Sequence, residues 1–157
     1  MIVLQEDTRQ KAEKHALKNE YWASEGIPVI RCKLPFGDYC LAPKVSVDTK
    51  QDIVEICQNM CGSASEKRRF AAEVIQARDA GCRLVFLIED GRYRDIPDLY
   101  GEKIWLHTGQ VIMGDQLAMA MYTMASRYGC EFRFCHPADT GRVVMEILEN
   151  DGNKRDR

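Results

Sequence analysis

Apolar and polar positions follow two different periods along the chain, and the two periods separate strands from helices. Period-two alternation and short apolar runs predict strands, whereas apolar residues that recur every three or four positions predict helices. The predicted strands are residues 2–4, 27–33, 37–42, 45–50, 83–89 and 132–135. The predicted helices are residues 9–25, 52–60, 66–80, 115–128 and 140–149, and residues 90–110 are predicted to form a long polar connection.

The order of these elements predicts the fold class. Strands alternate with helices except for one hairpin, whose turn lies near Pro43. This order predicts an α/β domain of three layers, with a central mixed β-sheet flanked by helices. The continuous apolar run RLVFLIE, residues 83–89, predicts a central strand that is buried on both faces. The length of 157 residues suits one domain, which we place at residues 1–150, with residues 151–157 as a flexible tail.

Composition narrows the class of protein without naming a ligand. The net charge of −2 excludes a general polycation, and with 45% apolar residues the chain is an ordinary globular one. No apolar run is long enough to cross a membrane, and the start of the chain lacks the pattern of a signal peptide. We therefore expect a cytoplasmic protein without a membrane partner. The seven cysteines are then reduced thiols, and their spacings fit no common zinc site.

The hairpin brings acidic and basic side chains to one face of the predicted sheet. If the turn is centred near Pro43, Asp38 lies directly opposite Asp48, with Cβ atoms about 5 Å apart. Because side chains alternate along a strand, Lys50 shares that face, whereas Tyr39 and Val47 point to the core. A slip of one residue in the register would abolish this arrangement.

The paired carboxylates of the hairpin have two interpretations. At this separation they repel each other unless a cation lies between them or one of them is protonated. Hard oxygen ligands of this kind suit Mg²⁺ or Mn²⁺, and Asp7, after the first strand, supplies a third acid. The simpler interpretation is a solvated strand face that carries a weak ion pair.

Four short motifs occur together in a fixed order along the first 90 residues. They are Asp-x-Arg in EDTRQ, Gly-Asp-Tyr in LPFGDY, Asp-x-Lys in VDTK, and Leu-Ile-Glu at the end of the apolar strand. This ordered set resembles the signature of the XPF-type structure-specific endonucleases, a branch of the PD-(D/E)XK superfamily. The resemblance implies a restriction-endonuclease-like fold and covers roughly residues 2–90.

The resemblance also implies roles for individual residues. Asp38 and Asp48 stand at the positions of the main metal ligands, and Lys50 at that of the active-site lysine. Asp7 and Arg9 stand beside them, and Glu89 is a further candidate metal ligand. The implied activity is Mg²⁺- or Mn²⁺-dependent hydrolysis of DNA phosphodiester bonds, in branched or flapped DNA of the kind met in repair and recombination. The resemblance further implies pairing of two copies through this domain.

The sequence also departs from the family pattern. Asp48 replaces the usual Glu, Thr49 the usual Arg, and Gln10 the usual Glu. No helix-hairpin-helix module follows, which is typical of a stand-alone nuclease domain, as in small bacterial or phage proteins. Two alternatives remain: a catalytically silent relative that binds DNA or a partner nuclease, and a different metal-dependent hydrolase or unrelated binding domain.

A basic triplet opens the helix at residues 66–80. We predict that Lys67, Arg68 and Arg69 contact the phosphates of a nucleic acid. The alternative for this triplet is an ordinary charged helix face exposed to solvent.

Overall fold

A computed structural model describes residues 4–34, 36–42 and 45–153, without the side chains of residues 12, 41, 42 and 151–153. The predicted strand at residues 2–4 and the centre of the hairpin turn, residues 43 and 44, therefore lie largely outside the described residues. Within the described part of the chain, each helix is too short or too polar to traverse a lipid bilayer.

Six strands form the main sheet, and two shorter strands form a separate hairpin. The strands are β1 (Leu4–Asp7), β2 (Val29–Cys32), β3 (Tyr39–Ala42), β4 (Val45–Lys50), β5 (Arg83–Ile88), β6 (Lys103–Trp105), β7 (Val111–Met113) and β8 (Glu131–Phe134). The order in the main sheet is β2-β1-β3-β4-β5-β8, and β6 pairs with β7. β3 runs antiparallel to both of its neighbours, while the other pairs are parallel. The predicted mixed sheet is thus confirmed.

Helices cover both faces of this sheet. They are α1 (Ala16–Ser24), α2 (Ile53–Cys61), α3 (Ala64–Asp79), α4 (Gly114–Tyr128) and α5 (Thr140–Asn153). One core cluster joins α1 and α5 to the sheet, and the other joins α2, α3 and α4 to its opposite face. The three-layer α/β architecture predicted from the order of elements is confirmed.

Strand β5 divides the two cores, as its apolar run predicts. Phe86 and Ile88 belong to the core under α2, α3 and α4, whereas Val85 and Leu87 belong to the core under α1 and α5. All four side chains are fully buried. Burying each of them stabilises the fold by about 1.5–3 kcal/mol.

Three predicted elements differ from the observed ones. The helix predicted at residues 9–25 is instead a turn at residues 8–10, a 3₁₀ turn (Ala12–His15) and then α1. The connection at residues 90–110 contains a short 3₁₀ turn (Ile96–Leu99) and strand β6, and β7 pairs with β6 just beyond it. The final helix continues to Asn153, past its predicted end at residue 149.

Candidate functional site

A polar cleft lies at one end of the central strands of the main sheet, where β1 and β4 end and β3 begins. Its volume is about 490 Å³, and α3 forms its opposite wall. We call it the acidic cleft, after the carboxyl groups among its lining residues, which include Asp7, Gly37, Asp38, Asp48, Arg69 and Glu73. The cleft therefore brings together residues that are up to 69 positions apart in the sequence, from Asp7 to Gln76.

The register of the hairpin places Asp38 opposite Asp48, as predicted. Tyr39 pairs with Val47 in the ladder, so the next pair outward is Asp38 and Asp48. The Asp38 amide donates a hydrogen bond to the Val47 carbonyl at 2.8 Å, which fixes this end of the ladder. Tyr39 and Val47 are fully buried on the other face of the sheet.

The glycine before Asp38 is required by the packing of the hairpin. Gly37 has φ +71°, in the left-handed region that side chains rarely adopt. A Cβ atom at this position would lie 1.9 Å from Ser46 Oγ on β4. The Gly-Asp pair thus allows the chain to turn closely over β4 and to deliver Asp38 into the cleft.

Hydrogen bonds hold the Asp38 carboxylate against β4. The backbone N–H of Thr49 donates to Asp38 Oδ2 at 2.7 Å, and the Thr49 hydroxyl donates to the same oxygen at 3.1 Å. Gln10, at the rim of the acidic cleft, forms a further side-chain hydrogen bond with Asp38. Two of the three positions that depart from the family pattern, Gln10 and Thr49, therefore contact this carboxylate.

Lys50 lies on the same face and is paired with the acids. Its Nζ atom is 3.1 Å from Asp48 Oδ1, and the side chains of Lys50 and Asp48 are only 13% and 10% exposed. Burial opposes the charge on Lys50, but the carboxylates of Asp48 and Glu73 outweigh this effect, so that the pKa of Lys50 is raised. Lys50 is thus a fixed cation inside the site.

A fourth acid, Glu73, reaches the cleft from α3. Its Oε1 atom accepts a hydrogen bond from the Gly37 amide at 3.2 Å, and its carboxyl group is hydrogen-bonded to Asp48. The sequence analysis missed this residue. The available signal was its position on α3 beside Phe70, Val74 and Ala77, whose side chains pack into the core.

Two carboxyl groups of the acidic cleft, those of Asp38 and Glu73, hold their protons to a higher pH than isolated carboxyl groups do. Burial, followed by repulsion from Asp48, raises the pKa of Asp38 to about 8. Burial, the charge of Asp48 and the hydrogen bond to Asp48 likewise raise the pKa of Glu73 to about 8. Without a divalent cation, the cluster therefore retains protons that isolated carboxyl groups would lose near pH 4.

Asp7, which is buried, and Arg9, which is largely exposed, both line the acidic cleft and contact each other. Asp7 forms an ion pair with Arg9, and its other oxygen accepts a hydrogen bond from the Leu34 amide at 3.2 Å. Arg9 also donates to the Leu34 carbonyl at 3.0 Å. Asp7 thus anchors the segment before Gly37 and holds Arg9 toward the cleft.

Glu89 lies on the opposite face of the sheet, which corrects its predicted place in the metal site. Asp48 pairs with Phe86 in the ladder, so residues 86 and 88 share its face, whereas Glu89 continues the face of Leu87. There it forms a buried ion pair with Lys18 of α1, at 2.6 Å. Its carboxylate therefore neutralises a lysine of the core and is not part of the acidic cleft.

The basic triplet of α3 does not form a single patch. Successive residues of a helix are about 100° apart, so Lys67, Arg68 and Arg69 point in three directions. Arg69 lines the acidic cleft, while the structure places Lys67 and Arg68 on the exposed surface of α3 outside that cleft. Contact of these three side chains with nucleic acid stays a prediction.

The donor chemistry of the cleft fits a divalent cation. Asp38, Asp48 and Glu73 offer hard oxygen ligands, and the raised pKa values of Asp38 and Glu73 reflect an excess of negative charge that a cation would neutralise. As they stand, no three His, Cys, Asp or Glu side chains of the described residues are arranged to hold a metal ion. Lys50, Thr49 and the Gly37 amide occupy carboxylate oxygens that a metal would have to share or take over.

The architecture and the strand order define a restriction-endonuclease-like α/β fold, in agreement with the sequence analysis. No protein-family model and no curated protein matches this chain. Solved structures do match it, at the level of the fold.

Two structures of XPF from Aeropyrum pernix are similar to this chain. The first has a TM-score of 0.67 and 17% sequence identity, over 96% of this chain and 65% of that chain. The second, a complex with DNA, has a TM-score of 0.64 and 18% identity, over 99% of this chain and 67% of that chain. The chain thus spans about two thirds of the length of these XPF chains, and the resemblance predicted from the motifs is confirmed at the level of the fold.

Proposed function

We propose that this protein is a metal-dependent DNA endonuclease whose reaction centre is the acidic cleft. The observation that carries the proposal is the convergence of Asp38, Asp48 and Glu73 around the buried Lys50 ammonium. The simpler interpretation of the hairpin, a solvated face with a weak ion pair, fits poorly because Asp48 and Lys50 are buried.

Asp38 and Asp48, with Glu73 beside them, are the residues that would hold Mg²⁺ or Mn²⁺. A bound ion of this kind acidifies a water molecule and neutralises the charge of a phosphate oxygen. Asp7 forms an ion pair with Arg9 and positions it, so we assign Asp7 a supporting role. Glu89 has no part in this set, because it lies across the sheet with Lys18.

The other side chains of the acidic cleft would act on the scissile phosphate and on the attacking water. Lys50 places a fixed positive charge beside Asp48, where it stabilises the negative charge that develops on the phosphate during in-line attack. Arg9, with 61% of its side chain exposed at the rim, orients the scissile phosphate. Glu73, which a bound cation would keep ionised, would accept a proton from the attacking water, because it lies against Asp48 and the Gly37 amide.

DNA is the substrate that the comparison favours. A protein of the same fold, XPF from Aeropyrum pernix, has been solved in a complex with DNA. By this resemblance we extend the proposal to branched or flapped DNA, cut during repair or recombination. Lys67, Arg68 and Arg69 then approach the strand from α3.

The rival proposal is a catalytically silent domain that binds DNA or a partner nuclease. A domain without catalytic activity gains nothing from buried carboxylates, because their desolvation destabilises the fold unless a bound group compensates for it. Because Asp38, Asp48 and Lys50 are all in place on one face, we favour the enzyme.

A cleavage assay distinguishes the proposed endonuclease from a catalytically silent domain. Labelled duplex, flap, splayed-arm and four-way-junction DNA would be incubated with Mg²⁺, with Mn²⁺ and with a chelator, and Asp48→Ala would serve as the control. Metal-dependent cutting that disappears in the variant supports the proposal. If the folded wild-type protein binds these DNAs and cuts none of them, the silent domain is the better account.

We further propose, on the resemblance, that two copies pair through this domain. Trp105, Val111 and Met113 leave 65%, 38% and 41% of their surface exposed on the outer face of the β6–β7 hairpin. Apolar side chains exposed together mark surfaces that contact proteins. Light scattering on the wild type and on Trp105→Lys tests this pairing: a wild type that stays monomeric at micromolar concentration would contradict it.

A further inference from the structure

A basic surface lies beside the acidic cleft, at the outer strand of the main sheet. It consists of residues 8–11, which follow β1, and residues 31–34, which begin at the end of β2. In the described part of the chain, β2 is the outermost strand on this side of the sheet. We call these two segments the basic edge. Neither segment contains an acidic residue, and together they carry four cations: Arg9, Lys11, Arg31 and Lys33.

Hydrogen bonds in both directions join the two segments. The Arg9 guanidinium donates to the Leu34 carbonyl at 3.0 Å. In the other direction, the Arg31 guanidinium donates to the carbonyls of Thr8 and Gln10. Each arginine therefore reaches from its own segment to the backbone of the other, and the two segments form one continuous surface.

The acids nearest to the basic edge are buried beneath it. Asp7 is paired with Arg9, and the Asp7 side chain is only 2% exposed. Glu6 lies 4.0 Å from Arg31 and is only 3% exposed. The two arginine side chains remain 61% and 44% exposed. Because the negative charges lie inside and the positive charges outside, the potential at this surface is positive.

Lys11 and Lys33 are the two cations of the basic edge that have no acidic partner. Both are exposed, and neither forms an ion pair with a side chain that the structure describes. Glu13 and Lys14, which follow Lys11 in the chain, carry opposite charges and leave the sum unchanged. The ammonium groups of Lys11 and Lys33 are therefore available to an anionic ligand.

The basic edge adjoins the acidic cleft on the side that faces α3. Arg9 and Gln10 belong to the basic edge and also line the cleft, whereas Arg69 and Gln76 line the cleft from α3. A nucleic-acid strand that leaves the cleft on the side of Arg9 and Gln10 would therefore pass over the basic edge.

The composition of the basic edge favours a duplex over a single strand. Surfaces that bind single strands contact the phosphates and also stack the bases on aromatic side chains. The two segments, TRQK and RCKL, contain no aromatic residue. Lysine side chains contact backbone phosphates without reading the base sequence, and this suits a duplex whose bases are paired.

We propose that the basic edge binds the backbone phosphates of a duplex DNA arm on one side of the scissile phosphate, through Lys11 and Lys33. The choice of DNA rests on the nuclease function proposed above, and the proposal adds the part of the substrate that lies outside the cleft. Arg9 and Arg31 hold the two segments together and supply further positive charge. The contact is independent of base sequence and is weakened by salt.

Binding of DNA in the absence of metal tests this proposal. Fluorescence anisotropy would give the Kd of a labelled duplex, with a chelator present, over a series of NaCl concentrations. The proteins compared would be the wild type, Lys11→Gln, Lys33→Gln and the double variant. A single strand of the same sequence would be measured in parallel.

Arg127→Gln is the matched control, because it removes an exposed cation remote from the cleft. Arg127 forms no ion pair with the side chains that the structure describes. It lies in the last turn of α4, shortly before β8 begins. Since β4, β5 and β8 are parallel, the start of β8 lies at the other end of the sheet from the acidic cleft, which is at the end of β4.

We expect each lysine variant to lower the slope of log Kd against log [NaCl] by about 0.9, and the double variant by about 1.8, because each lost phosphate contact releases fewer counterions. Arg127→Gln should keep the slope of the wild type. The double variant should lose at least about tenfold in affinity for the duplex and about twofold or less for the single strand. An unchanged slope in the double variant, an equal change in Arg127→Gln, or equal losses for duplex and single strand would overturn the proposal.

Failure of the basic edge and failure of the nuclease proposal are distinguishable. If the wild type cuts DNA and the lysine variants keep its salt dependence of binding, the nuclease stands and the basic edge is rejected. If the wild type cuts no DNA but the lysine variants lose the predicted slope, the basic edge stands and the catalytic proposal fails. A wild type that binds no duplex DNA rejects the basic edge, whatever the cleavage assay shows.

Discussion

Lys50 Nζ lies 3.1 Å from Asp48 Oδ1, and both side chains are about nine-tenths buried at the end of the central strand β4. We expect Lys50→Met to lower the rate of DNA cleavage at least 100-fold, since the cation beside the developing charge is lost. We also expect the free energy of unfolding to fall by about 3 kcal/mol, because Asp48 is left buried without its partner. Cleavage kinetics and urea unfolding measure the two effects. A variant that cuts normally would remove Lys50 from the mechanism.

Glu73 should matter for activity and little for the fold. Glu73→Gln keeps the volume of the side chain and an oxygen for the Gly37 amide, but it can neither become a carboxylate ligand nor accept a proton. We expect cleavage to fall at least tenfold, with the melting temperature nearly unchanged. Asp79→Asn, an exposed acid at the end of the same helix, is the control and should cut like the wild type.

The raised pKa values of Asp38 and Glu73 predict how stability depends on pH without metal. Since the folded protein holds these protons more tightly than the unfolded chain, their contribution is complete below about pH 4 and is lost as the pH rises toward 8. The loss approaches about 1.4 kcal/mol per pH unit for each proton. Mg²⁺, which competes with the protons, should stabilise the protein more at pH 8 than at pH 5.

Urea unfolding at pH 5 and pH 8, with and without Mg²⁺, checks this prediction. Asp48→Asn provides the comparison, because it removes the charge that repels the other two carboxylates. The difference in stability between wild type and variant should depend on pH in the metal-free protein. Parallel pH profiles of the two proteins would show that the acids of the cleft are not coupled.

The ion pair of Lys18 and Glu89 should serve stability alone. Lys18→Met leaves Glu89 buried without its partner 2.6 Å away, so we expect a loss of about 3–5 kcal/mol in the free energy of unfolding. Lys14→Met, at an exposed position in the preceding turn, should have little effect. The double variant Lys18→Met/Glu89→Leu should regain part of the loss, and if it does not, the pair is not the source of the stability.

The hairpin was predictable from the sequence because its own residues determine it. The connection between β3 and β4 is too short to allow much freedom of register, and the buried face of Tyr39 and Val47 selects one alternation of side chains. Once that face is set, Asp38, Asp48 and Lys50 must share the other. The acids of β3 and β4 could therefore be grouped before the structure was known.

Glu73 and Glu89 required information that the sequence does not carry locally. Glu73 enters the cleft through the packing of α3 on the sheet, which depends on contacts between distant segments. Glu89 follows a run that is apolar on both faces, so only the pairing of Phe86 with Asp48 reveals which side of the sheet it joins. The β6–β7 hairpin was missed because Trp105, Val111 and Met113 are apolar yet exposed, which hides the alternation.

The most direct test of the central claim compares Asp48 and Glu89, which were both predicted from the sequence to be metal ligands. Initial rates of DNA cleavage would be measured against Mg²⁺ concentration for the wild type, Asp48→Asn and Glu89→Gln, under conditions where all three are folded. Our account predicts that the wild type and Glu89→Gln cut DNA with similar dependence on Mg²⁺, and that Asp48→Asn does not cut. Cleavage that survives in Asp48→Asn, or that is lost only in Glu89→Gln, would contradict a reaction centre in the acidic cleft.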